Sequence, residues 1–425
     1  MLDIKLIRDK KEFVKSEIAK KGVNPELIDE IDEIDEKRRE KLKEVEKLKA
    51  EVNKTSSEIA KLKKEGKDTE DKIKAMKEVS DKIKKLDNEI AVIEEEFNKK
   101  ILWIPNIPNE SVPYGKDESS NVEIKHWGEK PVFNFKPKPH WEIAEHLDIL
   151  DDKRAAKITG ARFTLYKGAG ALLERALINF MLDVQTKEHG YTEIIPPILV
   201  NRDTMTGTGQ LPKLEDDMFK VTDPDYFLIP TSEVPLVNIH KDEILKEKDL
   251  PLKYTAYTPC FRKEAGSYGK DMKGIVRLHQ FNKVELVKFT TFDSSFDELE
   301  KLLNDAEVIL QKLKLPYRIL LLCTGDMSFA SAKTYDIEVW HSGTERYWET
   351  SSCSNCTDFQ ARRARIKYRA KDGKSYFVHT LNGSGLATSR LLPAVLENYQ
   401  TENTEVIVPD VLRPYMGGID KIVKK

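Results

Sequence analysis

The sequence predicts an α+β fold: a domain built on an antiparallel β-sheet with flanking helices, preceded by an N-terminal antiparallel two-helix coiled-coil arm. Three observations predict it. Residues 26–100 carry apolar positions at heptad spacing on both sides of a single glycine. A proline-studded stretch, IPNIPNESVPYG and KPVFNFKPKP, follows. Beyond residue 140, short alternating segments joined by hairpin-like loops are interleaved with helical patterns. The expected division is an N-terminal domain over 1–102, a connector over 103–139 and the sheet domain over 140–425.

In the arm, Val45, Val52 and Ile59 form one row, and Leu48, Thr55 and Leu62 the next. After residues 65–69 the pattern resumes with Met76, Ile83, Ile90 and Phe97, and with Val79, Leu86 and Ile93. Gly66 suits the C-terminal stop of the first helix, and Asp68 or Thr69 the cap of the second. About 35–40 residues at 1.5 Å each span roughly 55–60 Å. The apolar seam is too narrow for the core of a globular domain, so the hairpin projects. Two uses fit it: an oligomerisation coiled coil, or a lysine-rich rod that reads phosphates or a partner.

Composition narrows the function. Charged residues make up 34% of the 425, but 71 basic and 73 acidic groups nearly cancel and aromatics reach 8%. That balance excludes intrinsic disorder, and the net charge of −2 excludes a generally polybasic protein. Any nucleic-acid partner is met by local patches. Four cysteines are too few for a disulfide scaffold and fit a reducing compartment. The N-terminus lacks the apolar core of a secretory signal, and no run approaches a membrane span. The expectation is a cytoplasmic protein with no membrane association.

In the sheet domain, residues 172–187 read as a helix, followed by a short strand ending at Pro196-Pro197. Residues 253–262 and 277–291 read as two strands around a loop containing Gly266, Gly269 and Gly274; residues 295–314 read as a helix. Residues 333–340 and 346–351 form a second strand pair. Strand parity places Arg277, His279, Phe281, Lys283 and Glu285 on one face. So many charges beside an aromatic are costly to bury without partners. Phe281 and Glu285 stand ~13 Å apart at 3.3 Å per residue, which suits a ligand with a flat ring at one end and a hydroxyl or amine at the other. An exposed face with a salt-bridge ladder is the alternative. Arg262 and Glu264 sit where the first strand enters the loop, and an arginine fork suits a carboxylate or phosphate.

Two further constellations carry chemistry. Glu349 with Thr350, Ser351 and Ser352 offers a carboxylate and hydroxyls that can hold Mg²⁺ while phosphates complete its shell; a surface glutamate is the commoner alternative. Cys353 and Cys356 follow, but no second ligand pair is close in sequence, so zinc is not expected. Leu381 to Arg390 reads as a Gly/Ser turn opening into a helix, whose free N–H groups and Arg390 suit an anion; an ordinary capped core helix is the alternative. The basic run Arg362, Arg363, Arg365, Lys367 and Arg369 reads as a solvated helix face, with contact to a nucleic acid left open.

Together these stretches resemble the signature of the class II aminoacyl-tRNA synthetases, and nearly the whole chain resembles the bacterial-type seryl-tRNA synthetase family. Gly190 to Pro197 is similar to the first class motif, a dimer-interface element. FRKEAG with RLHQFNKVE is similar to the second, and GLATSR with its helix to the third. TGTGQLPK, PTSEVPL, TYDIEVW, ETSSCSNCTDFQARR and PDVLRPYMGG are also typical of the family, and the hairpin resembles its tRNA-binding arm.

The resemblance implies a homodimeric ligase that activates L-serine with ATP and passes it to tRNA(Ser), and to tRNA(Sec) where that exists. It implies that Arg262, Glu349 and Arg390 are catalytic. Arg262 would meet the α-phosphate and the serine carboxylate, and Arg390 the γ-phosphate. Lys263, Glu264, Leu278 and Phe281 would bind the nucleotide, Leu278 through its backbone, with Glu264 near the adenine and Phe281 stacked on it. Glu349 and Ser352 would hold Mg²⁺ with ATP, in a run that includes Thr350 and Ser351. Thr231, Ser232, Glu233, Glu285, Asn382 and Ser384 would line the serine site with Arg262. The Cys353–Cys356 segment then belongs to the ATP-side loop. Two rivals differ in class: a paralogue that loads a carrier protein, which would lack the arm, and an inactive scaffold, which would have lost Arg262, Glu285, Glu349 or Arg390.

Overall fold

The structure, a computed structural model, describes residues 1–264 and 273–424. Gly266 and Gly269 therefore lie outside the described residues. The chain divides into two compact units: Leu2–Ala19 with Val23–Pro105, and Asn106–Lys425 with Met1 and Lys20–Gly22.

The first unit contains α1 (Ile4–Asp9), α2 (Lys11–Ala19), α3 (Glu26–Lys64) and α4 (Glu70–Ile101). Helices α3 and α4 form the expected antiparallel hairpin, and Val45, Leu86 and Ile90 pack between them with Leu42, Leu48 and Ile83. Gly66 takes φ +70°, a left-handed conformation that ends a helix with no Cβ penalty. Of the two candidate caps it is Asp68 that works: its carboxylate accepts from the Glu70 N–H at 3.0 Å, whereas the Thr69 side chain makes no capping bond. Ion pairs run beside the seam, Arg38–Glu94 at 2.9 Å, Lys41–Glu89 at 2.6 Å, Glu44–Lys82 at 2.7 Å and Glu58–Lys72 at 2.7 Å. Exposed pairs contribute at most about 1 kcal/mol each, so they hold register more than stability. At the base, Arg8 on α1 grips the buried Asp35 of α3 with two bonds of 2.6 and 2.7 Å.

The second unit is organised by an eight-stranded sheet. Its strands are β1 (Val122–Trp127), β2 (Thr192–Glu193), β3 (Leu252–Phe261), β4 (Gln280–Thr290), β5 (Tyr317–Leu321), β6 (Lys333–His341), β7 (Arg346–Asn355) and β8 (His379–Ala387). The spatial order is β1-β5-β6-β7-β8-β4-β3-β2, antiparallel except for the β2–β3 pair. The helices used below are α5 (His140–Leu147), α6 (Ala169–Lys187), α7 (Glu233–Asn238), α8 (Ser295–Lys312), α9 (Phe359–Ala364) and α10 (Thr388–Asn398). Leu173, Leu177 and Met181 of α6, Leu302 and Ile309 of α8, and Leu391 and Val395 of α10 bury one sheet face against Val284, Leu286, Ile337 and Val339. The opposite face, at the same strands, is polar and carries the site.

Three sequence expectations are corrected. The connector is not only a linker, because residues 122–127 pair with β5 as the edge strand of the sheet. Arg277 and His279 precede β4, which begins at Gln280, so the shared strand face holds Phe281, Lys283 and Glu285. Leu381 to Ala387 is not a turn but strand β8, paired with both β4 and β7. Its glycines serve packing: a Cβ at Gly383 would lie 2.4 Å from Leu302 Cδ2, and one at Gly385 would lie 3.1 Å from Leu286 Cγ.

The basic run is solvated only in part, at Arg365 and Arg369, and it leaves the helix after Ala364. Arg363 is buried and donates to the carbonyls of Thr206 and Leu211 at 3.2 and 3.1 Å. Arg362 pairs with Asp358 at 2.7 Å, and Arg365 donates to Asp242 at 2.9 Å.

Candidate active site

A cleft of about 1080 Å³ opens over the polar sheet face. Strand alternation sends Phe281, Lys283 and Glu285 of β4 into it, while Val284 and Leu286 on either side of Glu285 enter the core. Strict alternation fails on the neighbouring strands, and the failure is useful. On β7 the pairing with β6 shifts between Ile337 and Glu338, leaving Thr350 as an extra residue. That bulge lets Glu349 and Ser352, an odd number apart, both line the cleft. A second shift on β8, between Ser384 and Leu386, lets Asn382, Ser384 and Ala387 share it.

The cleft has two ends. Arg262 lines it, its guanidinium carbon 5.3 Å from the Phe281 ring centroid and its Nε donating to the Pro230 carbonyl at 3.3 Å. Glu264 and Arg277 line the wall nearby and pair at 3.6 Å. Arg390, in the first turn of α10, reaches the cleft with an Nε that is buried and has no hydrogen-bond partner among the described residues. Opposite stand Glu349 and Asp336. Burial, and then the nearness of Glu349, hold the Asp336 carboxyl well above its usual range, and Asp336 Oδ1 is buried without a partner among the described residues. Two crowded carboxylates with the Ser352 hydroxyl beside them fit a divalent cation.

The other end is closed and holds two more carboxylates. Glu285 is buried; it forms an ion pair with Lys283 and accepts from the Thr231 hydroxyl at 3.2 Å. Thr231 Oγ1 also accepts from Lys283 at 2.8 Å and from the Glu233 N–H at 3.2 Å. Glu233, at the start of α7, accepts at Oε1 from Gln360 of α9 at 2.6 Å and from Asn382 at 3.0 Å. Burial, and then the charge of Glu285, push the Glu233 carboxyl up to about 7. Gln360 is itself fixed, donating to the Thr208 carbonyl at 3.0 Å and accepting from Thr380 at 2.6 Å.

The foot of β4 is anchored from outside the cleft. Glu397 on α10 accepts from both the backbone N–H and Nδ1 of His140, and His140 Nε2 accepts from the Ile275 N–H at 3.3 Å. A Cβ at Gly274 would sit 2.0 Å from that Nε2, so Gly274 is required by close approach.

Of the residues expected from the sequence, Thr231, Glu233, Arg262, Glu264, Phe281, Glu285, Glu349, Thr350, Ser352, Asn382, Ser384 and Arg390 line this one cleft. Four others do not. Ser232 is buried behind it and shares a hydrogen with Thr258 at 2.6 Å. Leu278 is in the core, Lys263 is exposed outside, and Ser351 turns away to donate to the Ser384 carbonyl at 2.6 Å. Asp336 and Gln360 are additions that the sequence expectations lack. The alternation of Thr334, Asp336, Glu338 and Trp340 along TYDIEVW would have marked a polar strand face and so Asp336. No local pattern marks Gln360, whose partners lie on α7, β8 and the segment before α7. No helix among the described residues is long and apolar enough to cross a membrane.

The chain is similar to known proteins over its full length. The family model of the tRNA synthetase class II core domain (G, H, P, S and T) matches residues 219–399, and that of the seryl-tRNA synthetase N-terminal domain matches residues 1–108. A serine–tRNA ligase of Geobacter sulfurreducens is 59% identical over 99% of this chain and 100% of that protein. One of Carboxydothermus hydrogenoformans is 57% identical over 100% of both. Among solved structures, seryl-tRNA synthetase from Pyrococcus horikoshii complexed with ATP matches over 100% of both chains, with 41% identity and TM-score 0.93. The cytoplasmic serine-tRNA ligase from Naegleria fowleri in complex with AMP is 30% identical, with TM-score 0.89, over 100% of this chain and 99% of that one.

Proposed function

Because the chain belongs to the seryl-tRNA synthetase family, we propose that it activates L-serine with ATP and transfers it to the 3′ end of tRNA(Ser), and of tRNA(Sec) where present. The observation that carries this reading is one cleft lined by Arg262 against Phe281, by Arg390 with an unpartnered buried Nε, and by two groups of neighbouring carboxylates, Asp336 with Glu349 and Glu233 with Glu285.

Charge matching orients the substrate. Serine brings one carboxylate, one ammonium and one hydroxyl. Arg262 takes the carboxylate as a planar fork. Glu285 already has a cationic partner in Lys283, whereas Glu233 has none among the described residues. The ammonium therefore goes to Glu233 and the hydroxyl to Glu285, with Thr231, Asn382 and Ser384 completing the wall. At the other end Phe281 and Glu264 receive the adenine, and Arg390 the terminal phosphate.

The chemistry then needs no protein nucleophile. A serine carboxylate oxygen attacks the α-phosphorus in line, the bond to the bridging oxygen breaks, and pyrophosphate leaves. Arg262 holds attacking group and α-phosphate together, and Arg390 spreads the charge on the leaving group, so catalysis is positioning plus electrostatics. Mg²⁺, when bound, neutralises phosphate charge; Glu349, Ser352 and Asp336 would hold it. In the second step a terminal ribose hydroxyl of tRNA attacks the adenylate carbonyl and AMP leaves.

The hairpin of α3 and α4 supports a tRNA role, since its outer half presents exposed lysines such as Lys54, Lys61, Lys64 and Lys74. A homodimer is supported by Ile195, which follows edge strand β2 and is 89% exposed. A cytoplasmic location completes the reading. The test is ATP–pyrophosphate exchange with each amino acid, then charging of total tRNA. Exchange with serine alone and serine charging are expected. Exchange without charging would favour a carrier-loading paralogue, and neither would favour a scaffold.

A further inference from the structure

Lys283 has so far been only the partner of Glu285, with no part in choosing the substrate, yet it lines the same cleft. Its side chain is 7% exposed and that of Glu285 2%. The two stand two residues apart on one face of β4, so both enter the cleft from the same strand. The ammonium lies against Glu285 Oε2 and donates to Thr231 Oγ1 at 2.8 Å, while Thr231 donates to Glu285 Oε2 at 3.2 Å. Lysine, hydroxyl and carboxylate thus close a triangle at the blind end. A buried ammonium needs such partners, and a buried carboxylate that lost its cation would be strongly destabilised.

We propose that Lys283 determines side-chain specificity: by holding Glu285 as half of an ion pair, it makes the blind end a receptor for a neutral hydroxyl and bars a second ammonium. This rests on the reading that Glu285 faces the serine side chain. The logic is electrostatic. With Glu233 ionised, the amino-acid end offers two carboxylates, Glu233 and Glu285, and one lysine, leaving one negative charge for the single ammonium of a neutral amino acid. A serine analogue whose hydroxyl is replaced by an amine, 2,3-diaminopropionate, would bring a second cation against the lysine. Rejection then comes from like charge at short range in a dry site, where such repulsion is weakly screened. The hydroxyl keeps an acceptor, because Glu285 has lone pairs beyond those used by Lys283 and Thr231.

The experiment measures kcat/KM for adenylate formation with serine, alanine and 2,3-diaminopropionate in wild type, Lys283→Met, Lys283→Arg and Glu285→Gln. In Lys283→Met the preference for serine over 2,3-diaminopropionate is expected to fall about 100-fold or more, with KM for ATP within about twofold. Lys283→Arg is expected to restore most of the preference. The ratio of two substrates on one preparation does not depend on the active fraction, so partial misfolding does not mimic the result; if Lys283→Met is insoluble, Lys283→Gln is measured instead. An unchanged preference with Glu285→Gln impaired for serine would overturn the lysine's role alone. An equal loss for all three amino acids, or a raised KM for ATP, would place Lys283 on the shared carboxylate or the phosphates and overturn it too. If Glu285→Gln leaves serine kinetics unchanged, the reading of Glu285 falls and the proposal falls with it.

Discussion

Gln360 donates to Glu233 Oε1 at 2.6 Å, so a neutral amide, not a cation, supports the carboxylate assigned to the serine ammonium. Glu233 is held up to about 7 from an ordinary 4.5, burial being the larger cause and Glu285 the next. Below that value the group is protonated and meets the ammonium as a neutral acid. KM for serine is therefore expected to fall as pH rises from 6 to 8, by up to roughly tenfold per unit on the acid side. The stability effect has the opposite sense. Between 4.5 and about 7 the folded protein holds a proton that the unfolded chain releases, so stability falls as pH rises through that window. Glu233→Gln should flatten the KM profile, raise KM at pH 8, and raise the Tm at pH 8 by a few degrees with little gain at pH 4. A flat wild-type KM profile would remove Glu233 from ammonium binding.

Glu285→Gln is expected to cut serine activation at least tenfold while KM for ATP stays within about twofold. The lost hydrogen bond to a charged group is worth ~1.5–3 kcal/mol. Glutamine is the cleaner variant, since alanine would strand the buried Lys283 with a hole beside it. Unchanged serine kinetics would exclude the carboxylate from the hydroxyl.

Arg390 has a buried Nε without a partner among the described residues, so its loss removes no described hydrogen bond there. Arg390→Lys keeps the charge and loses the fork. Pyrophosphate exchange should drop about tenfold or more with the Tm within ~2 °C of wild type. A chiefly unfolded variant would instead make Arg390 a structural residue of α10.

Asp336→Asn tests the cation site by titration with Mg²⁺. The half-saturating concentration for exchange should rise several-fold, and EDTA should abolish exchange in both proteins. An unchanged Mg²⁺ requirement would leave Glu349 and Ser352 without Asp336.

The arm is tested by replacing residues 50–80 with a short Gly/Ser link. The boundaries keep Val45, Leu86 and Ile90 packed and keep Asp35 on Arg8. Serine-dependent exchange should survive within a few-fold, because activation needs no tRNA. Charging should collapse, and the log–log salt slope of tRNA affinity should flatten by ~1 for every phosphate the shortened arm no longer neutralises. Normal charging with an unchanged slope would make the arm an assembly device.

The hairpin is legible in the sequence because its rows repeat locally, and Gly66 marks the stop. The face of β4 is legible from parity. What escapes depends on distant partners. Nothing in Val122 to Trp127 says that Tyr317 to Leu321 will pair with it. Gly383 and Gly385 look like turn residues until Leu302 and Leu286 are seen to need their space. Arg363 looks solvated until the Thr206 and Leu211 carbonyls meet it. The bulge at Thr350 breaks the very rule that locates Phe281 and Glu285, and no residue there announces it.

The order of strands across the sheet has a kinetic consequence. One of its inner pairings joins Gln280–Thr290 to His379–Ala387, stretches separated by nearly ninety residues, whereas the hairpin joins neighbours across a short turn. Pairings between distant segments form slowly because the intervening chain must be closed first. During synthesis the arm leaves the ribosome early and can complete its pairing from residues already made. The sheet must wait for β8, near the end of the chain, with facing edges of β4 and β7 unpaired until it inserts. Pulse-labelled hydrogen exchange on refolding should find amides of α3 and α4 protected well before those of β4 and β8.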